Sequence, residues 1–404
     1  MRVLWLSHFL PHRSTGHGAL QRSHNLLVEA ARRHEVHLIS LADGEEARTS
    51  DALRAAAESL RPKLASVHAV PIAPGRLRQL RAVATSALSA PSYWDRRFLV
   101  PGMVEHIRSA SPTSFDLVHL DVVFLAPYLA HLPAVPVALN HHNVESDLLH
   151  RRSANSHRLG RWYFARQAAH VAGGEREWAR RAGVNLVVSA LDGERLRGLA
   201  GDVPVTVVPN GVDIDFFQPT AGVEAERSRL VFAGGMDWFP NREAMRYLAA
   251  DLWPALRRGE PARRMTVVGR HPPAELLEAA RHDPALEVTG FVDDVRPHIS
   301  AASIYLCPIT VGGGTRLKIL DALAMSRALV STDLGVEGLE LVEGVHYLRA
   351  NSTPEFVEQV RRLENDPVLV ASLGRAGRHF VEQRYAWPAI IDALDQGWGL
   401  AAKR

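Results

Sequence analysis

The chain has 404 residues, more than one ordinary hydrophobic core holds, so two domains are expected. Apolar residues make up 47% and charged residues 23%, which excludes a disordered or fibrous chain, and the single cysteine, Cys307, excludes an internal disulfide and suits a reducing cytosol. The formal charge is only +3, with Asp and Glu spread among the arginines and no aromatic-plus-basic module, so no nucleic acid partner is expected.

The first predicted element is a continuous apolar strand, RVLWLS (2–7). A glycine-bearing loop, SHFLPHRSTGHG, leads from it into a helical pattern, ALQRSHNLLVEAARRH, and a second strand, EVHLISL. Further strands are expected at 66–72, 115–120, 135–140, 184–189 and 203–209, with helical patterns between them. Continuous rather than alternating apolar runs indicate strands buried on both faces of a parallel sheet. Residues 1–208 therefore read as one doubly wound α/β domain. The basic, amphipathic segment 75–100 reads as a flank packing its apolar face inward, in preference to lying on a membrane or near an acceptor.

The pattern restarts after PNGVDIDFFQPT (209–220), which has the composition of a linker. RLVFAGG (229–235), MTVVGR (265–270), LEVTGFV, ASIYLCPI and ALVSTD (328–333) are the strands of a second domain, 209–385, and the helix NREAMRYLAADLWPAL lies after the first of them. The last stretch, 386–404, is an amphipathic helix expected to pack back on the first domain. Ligands of such sheets bind beyond the carboxyl ends of the strands, so the two domains are expected to face a central cleft. No run of 18 apolar residues occurs, and the apolar stretch at the start is short and interrupted; neither a membrane span nor a signal peptide is expected.

The stretch ITVGGGTRLKILDALAM (309–325) carries chemistry. Three glycines enter a helix with Thr315 as its expected cap, and Arg316 and Lys318 follow in the first turn. Cations at a helix N-terminus oppose its dipole unless an anion sits there. Asp321 falls one turn beyond Lys318, about 9 Å along the helix from Thr315, where it could accept hydroxyl hydrogens. A diphosphate joined to a ribose has that extent. No spaced His, Cys, Asp or Glu set has metal-ligand spacing, so no metal is expected.

These segments together resemble the retaining glycosyltransferases of family 4, with the GT-B architecture of two Rossmann-like, doubly wound α/β domains. VVPNGVDIDFF (207–217), FAGGMDWFPNREAMRYL (232–248), the block 289–325 and ALVSTDLGVEGL (328–339) carry the likeness, and GHGALQRSHNLLVEAARRHEVHLIS is similar too. The resemblance implies an acceptor-binding first domain and a second domain that binds a nucleotide diphosphate sugar. Gly16 and Gly18 would lie near the donor phosphates or the transferred sugar. Phe291 and Val292 would receive the base; Gly314 and Thr315 would offer N–H groups to the diphosphate, and Arg316 and Lys318 would neutralise it. Asp321 would bind the ribose, and in NHHNVES His142, with His141 as rival, would lie near the transferred sugar.

Two departures stand out: Gly313 replaces the first of the family's two glutamates, and Asp321 is one methylene shorter than the second. A Gly-Gly-Gly-Thr-Arg-x-Lys branch shares the first change. The resemblance implies metal-independent transfer with retention to a lipid, glycan, natural-product or small-metabolite hydroxyl, with no cofactor beyond the donor. The single cysteine suits a cytoplasmic site, and the basic balance leaves room for peripheral contact with the inner membrane face. A non-catalytic nucleotide-sugar-binding subunit and a sugar-nucleotide epimerase stay open as alternatives.

Overall fold

The computed structural model describes residues 1–11, 18–42, 50–72, 75–110, 115–132 and 134–403. Two compact units divide the chain. One contains the first strand, Ala19–Pro209 and the stretch from Ile390 onward; the other contains Asn210–Ala389.

The first unit is built on strands β1 (Arg2–Ser7), β2 (Glu35–Ala42), β3 (Ser66–Pro71), β4 (Leu117–Leu120), β5 (Val137–His141), β6 (Val184–Val187) and β7 (Val205–Val207). They pair in parallel in the order β3-β2-β1-β4-β5-β6-β7. The helices are α1 (Gly18–Ala31), α2 (Ser50–Leu60), α3 (Arg76–Leu88), α4 (Tyr93–Phe98), α5 (Pro101–Ala110), α6 (Glu145–Ala154), α7 (Arg158–Arg181) and α8 (Ala190–Ala200). All four residues of β4 are buried, His119 among its apolar neighbours included. One expectation is overturned here: α3 does not bury its apolar face. Leu77, Leu80 and Leu88 are exposed and Ser86 is buried, because the helix meets its neighbours through a hydrogen bond from Arg78 to the Leu99 carbonyl and one between the Ser86 and Tyr163 hydroxyls.

The second unit holds β8 (Glu226–Ala233), β9 (Arg264–Val268), β10 (Leu286–Gly290), β11 (Ala302–Cys307), β12 (Ala328–Ser331) and β13 (Leu348–Arg349), parallel in the order β10-β9-β8-β11-β12-β13. Its helices are α9 (Phe239–Tyr247), α10 (Trp253–Arg257), α11 (Ala274–His282), α12 (Arg296–Ala301), α13 (Leu317–Ala324), α14 (Thr353–Asn365) and α15 (Pro367–Arg384). The helix expected at 241–256 is interrupted by a wider turn, Leu248–Leu252, between α9 and α10. Pro254 lacks the N–H that would continue the regular ladder. The presumed linker is also more than a tether. Val212 donates its N–H to the Tyr385 carbonyl at 2.8 Å, and Val212 and Phe217 are buried in the core of this unit.

The last helix, α16 (Trp387–Ala402), passes into the first unit from Ile390. There the Trp398 indole donates to His119 Nδ1 at 3.2 Å, and Asp395 accepts from Arg33 at 2.9 Å and pairs with His34 at 2.8 Å. Among the described residues no helix is long and apolar enough to cross a membrane.

Candidate active site

In an open parallel sheet, ligands collect outside the strand ends where the strand order reverses. In the second unit that point lies between β8 and β11. Lys318, at the second position of α13, reaches it. Its ammonium donates to the Asn241 amide oxygen and stands 4.5 Å from the centroid of the Phe232 ring. A Cβ on Gly234, just past β8, would come within 2.6 Å of Nζ, so a glycine there leaves room for the cation. Asn241 is itself fixed, donating to the Gly235 carbonyl at 2.6 Å. Burial lowers the Lys318 pKa to about 7; Arg316 adds to the effect, while Cys307 and Asp321 oppose it.

The glycine run forms a tight loop against the start of α9. Gly312 has φ 110° and Gly314 φ 75°, values that side chains with a Cβ seldom adopt. A Cβ on Gly312 would stand 2.6 Å from Pro240 Cγ. Arg316 is buried and turns Nη1 back onto the carbonyls of Gly313 and Gly314, closing the loop. The expected cap is corrected: α13 begins at Leu317 and its N-cap is Arg316, with no side-chain cap. The Thr315 hydroxyl is instead taken by the Asn210 amide. With the helix starting one residue later, the expected helical rise from Thr315 to Asp321 holds only from Leu317 onward, about 6 Å.

Asp321 is half-buried, one turn beyond Lys318. Phe291 follows β10 and is 66% exposed, whereas Val292 packs on the core of the unit. Gly290, at the end of β10, accepts from the Gly269 N–H at 2.9 Å, bringing the β9 and β10 ends together.

In the first unit the strand order reverses between β1 and β4. Asp121, immediately after β4, is wholly buried there. Ser7 and Ser23 donate their hydroxyls to its carboxylate at 3.1 and 2.9 Å, and His142 Nε2 lies 3.4 Å and His8 Nδ1 3.8 Å away. Burial alone would raise this carboxyl; His142 and then His8 and His119 overcome it and hold it well below the usual carboxylate range. Asn140 donates to the Asp121 backbone carbonyl at 3.1 Å. Buried Arg22 from α1 donates to Asn140 at 3.2 Å and to the carbonyls of Val208 and Pro209 at 2.8 and 2.6 Å.

The neighbouring histidines are thereby separated. His141 ends β5 and is buried, its Nε2 3.0 Å from Asn185 Oδ1, and burial takes its pKa down to about 4. His142 stands past the strand end beside Asp121. Gly18 opens α1, and Gly16 lies outside the described residues. Among the described residues no three His, Cys, Asp or Glu converge as a metal would need.

Sequence reasoning missed Asp121, Arg22, His8, Asn140, Asn241 and Asn210. Two of them left a trace: the first turns of α1 read Gln21, Arg22, Ser23, His24, four polar residues in the helix that follows the first strand, and Asp121 directly follows a largely apolar strand. Asn241 and Asn210 left none, since their partners lie 77 and 105 residues away.

Residues 17–216 match the family description "Glycosyltransferase Family 4", and residues 227–366 match "Glycosyl transferases group 1". A phosphatidyl-myo-inositol mannosyltransferase of Mycobacterium tuberculosis is 29% identical over 201 residues, 46% of this chain and 52% of that protein. The chain thus spans about half the length of the curated relatives it matches. The solved sucrose-phosphate synthase of Thermosynechococcus elongatus superposes with a TM-score of 0.72 at 16% identity, covering 98% of both chains. The HepE protein of Anabaena, solved in complex with UDP, gives 0.68 at 14% identity, covering 98% of this chain and 99% of its own. Two parallel Rossmann-like sheets of reversed strand order, joined to these family matches, make the chain a member of the family 4 glycosyltransferases with the GT-B fold.

Proposed function

We propose that the protein transfers a sugar from a nucleotide diphosphate sugar to an acceptor hydroxyl, with retention of configuration and without a metal. The observation that carries this reading is Lys318. A lysine held by Asn241 and Phe232 at the end of β8, and brought to a pKa of about 7 by burial, is a cation kept at a cost that an anionic ligand would relieve.

In the reaction, the bond between the anomeric carbon and the β-phosphate oxygen breaks, and its electron pair leaves with the diphosphate. The acceptor oxygen bonds to the anomeric carbon on the same face, and its proton passes to the departing phosphate oxygen. Protonated Lys318 and the N–H groups of Gly314 and Thr315 stabilise the charge that builds on the leaving group, and Arg316 sets the loop that presents them. Phe291 offers an exposed ring to the base, and Asp321 takes the ribose hydroxyls. His142, anchored by Asp121, orients the transferred sugar.

The likeness to a mannosyltransferase named for a phosphatidyl-myo-inositol acceptor favours a lipid-borne hydroxyl, and with it peripheral contact with a membrane face. The Gly-Gly-Gly-Thr-Arg-x-Lys loop supports a position in the branch of the family that carries it.

The test is a thermal-shift panel of UDP, GDP, TDP and ADP sugars, since a ligand bound by the folded state raises the melting temperature by mass action. Turnover of the responding donor is then followed with chelator present, and the anomeric configuration of the product is read by NMR. An inverted product, or loss of turnover on chelation, sinks the corresponding part of the reading.

A further inference from the structure

Helix α3 leaves its large apolar side chains, Leu77, Leu80, Val83 and Leu88, in water and buries Ser86 instead, unlike an ordinary surface helix. Ser86 is buried, 3.3 Å from the Tyr163 hydroxyl, and its carbonyl accepts from Gln167 at 2.9 Å. Leu77, Leu80 and Leu88 are 65%, 66% and 76% exposed.

Helix α7 extends the same surface. Its Arg166 donates to the Leu88 carbonyl at 2.6 Å, and its Tyr163 meets Ser86. Leu159 lies one turn before Tyr163, and Trp162 one turn before Arg166, so both share the side of α7 that meets α3. They are 85% and 54% exposed.

Charge distinguishes this face from a plain apolar patch. Residues 75–98 hold five arginines and one aspartate, and residues 157–170 hold three arginines and no acid. Arg81, Arg158 and Arg161 are exposed. Helix α4 connects the face to the polar cluster at the strand ends: its Phe98 ring lies 5.4 Å from that of His8.

We propose that this face of the first unit docks on an anionic lipid bilayer, the leucines and Trp162 entering the interfacial layer and the arginines meeting lipid phosphates. The proposal deepens the peripheral membrane contact above and rests on that reading. Apolar groups flanked by arginines, with an indole among them, match the layered chemistry of a bilayer surface. A second copy matches it poorly, because a twofold contact would set the same arginines against each other.

The experiment is flotation of the full-length protein with vesicles of phosphatidylcholine alone, and with about a third phosphatidylglycerol. The protein should float with the anionic vesicles only, and added salt should weaken this. L80D combined with W162D, and R81E combined with R161E, should each reduce binding about tenfold or more while leaving the melting temperature in place, since these side chains are exposed. Failure of the unmodified protein to bind anionic vesicles, or unchanged binding by both variants, overturns the proposal. So does a dimer in sedimentation equilibrium that the same substitutions dissolve. The thermal shift with nucleotide sugar, measured on the same samples without vesicles, separates failure here from failure of the transfer reading.

Discussion

The Lys318 ammonium donates to the Asn241 amide oxygen, and that contact holds a near-neutral cation at the point where the strand order of the second unit reverses. A phosphate arriving there favours the charged form, so binding raises the pKa of Lys318. Affinity for the intact nucleotide sugar should then be level below pH 7 and fall about tenfold per pH unit above it, until the pKa of the bound form is reached. Calorimetry across pH 6 to about 9 checks this; the intact donor is the probe because a terminal phosphate titrates near ~6. A profile that is flat above neutrality would exclude Lys318 as the diphosphate cation.

Lys318→Ala removes the cation outright. A loss of about 10²–10³ in kcat is expected, the size seen when one preorganised stabilising donor is deleted. Asn241→Asp should act in the other direction on pH: a carboxylate beside the ammonium holds its proton, so the decline in affinity moves to higher pH.

Two glycines at neighbouring strand ends should respond differently to alanine. In Gly234→Ala the new Cβ meets the end of the Lys318 side chain at 2.6 Å, which can move. Stability should change by less than about 1 kcal/mol while donor affinity falls. In Gly269→Ala the Cβ meets the Gly234 carbonyl oxygen at 2.1 Å, where backbone must yield. A loss of about 1–3 kcal/mol is expected in denaturant unfolding.

Asp121→Asn leaves His142 without its carboxylate and disturbs two serine donors. Because the folded pKa is held below the unfolded one, the carboxylate's contribution to stability is present above about pH 4 and is lost as pH falls through the folded value. The variant should be destabilised by about 3–5 kcal/mol at neutral pH, with a flatter acid limb. Rescue of stability without rescue of turnover in a second-site variant would assign Asp121 to positioning His142.

Glu175 is a buried carboxyl that accepts the N–H groups of Glu145 and Ser146 at the start of α6. Burial pushes its pKa up to about 7. Its folded pKa exceeds the unfolded one, so this group costs stability progressively from about pH 4.5 to 7. Glu175→Gln should flatten that interval, with a gain of roughly 3 kcal/mol as an upper bound at pH 8. Urea unfolding across that range is the check.

The sequence by itself determined the two parallel sheets, because strands buried on both faces must be continuous apolar runs such as VLWL and IYLC. It also determined the glycine loop with its cations, a local pattern that breaks a local rule. It did not determine where α13 begins, since Thr315 caps well in isolation and only Asn210, distant in the chain, takes its hydroxyl. The sequence preference for His142 over His141 rested on the resemblance alone, and the tertiary structure supplied the physical difference: adjacent residues at a strand end diverge, and Asn185 holds one while Asp121 anchors the other. The outward turn of α3 was likewise decided in tertiary structure. Its leucines predict burial, but the hydrogen bonds of Ser86 and Arg78 to neighbouring elements fix which side faces water.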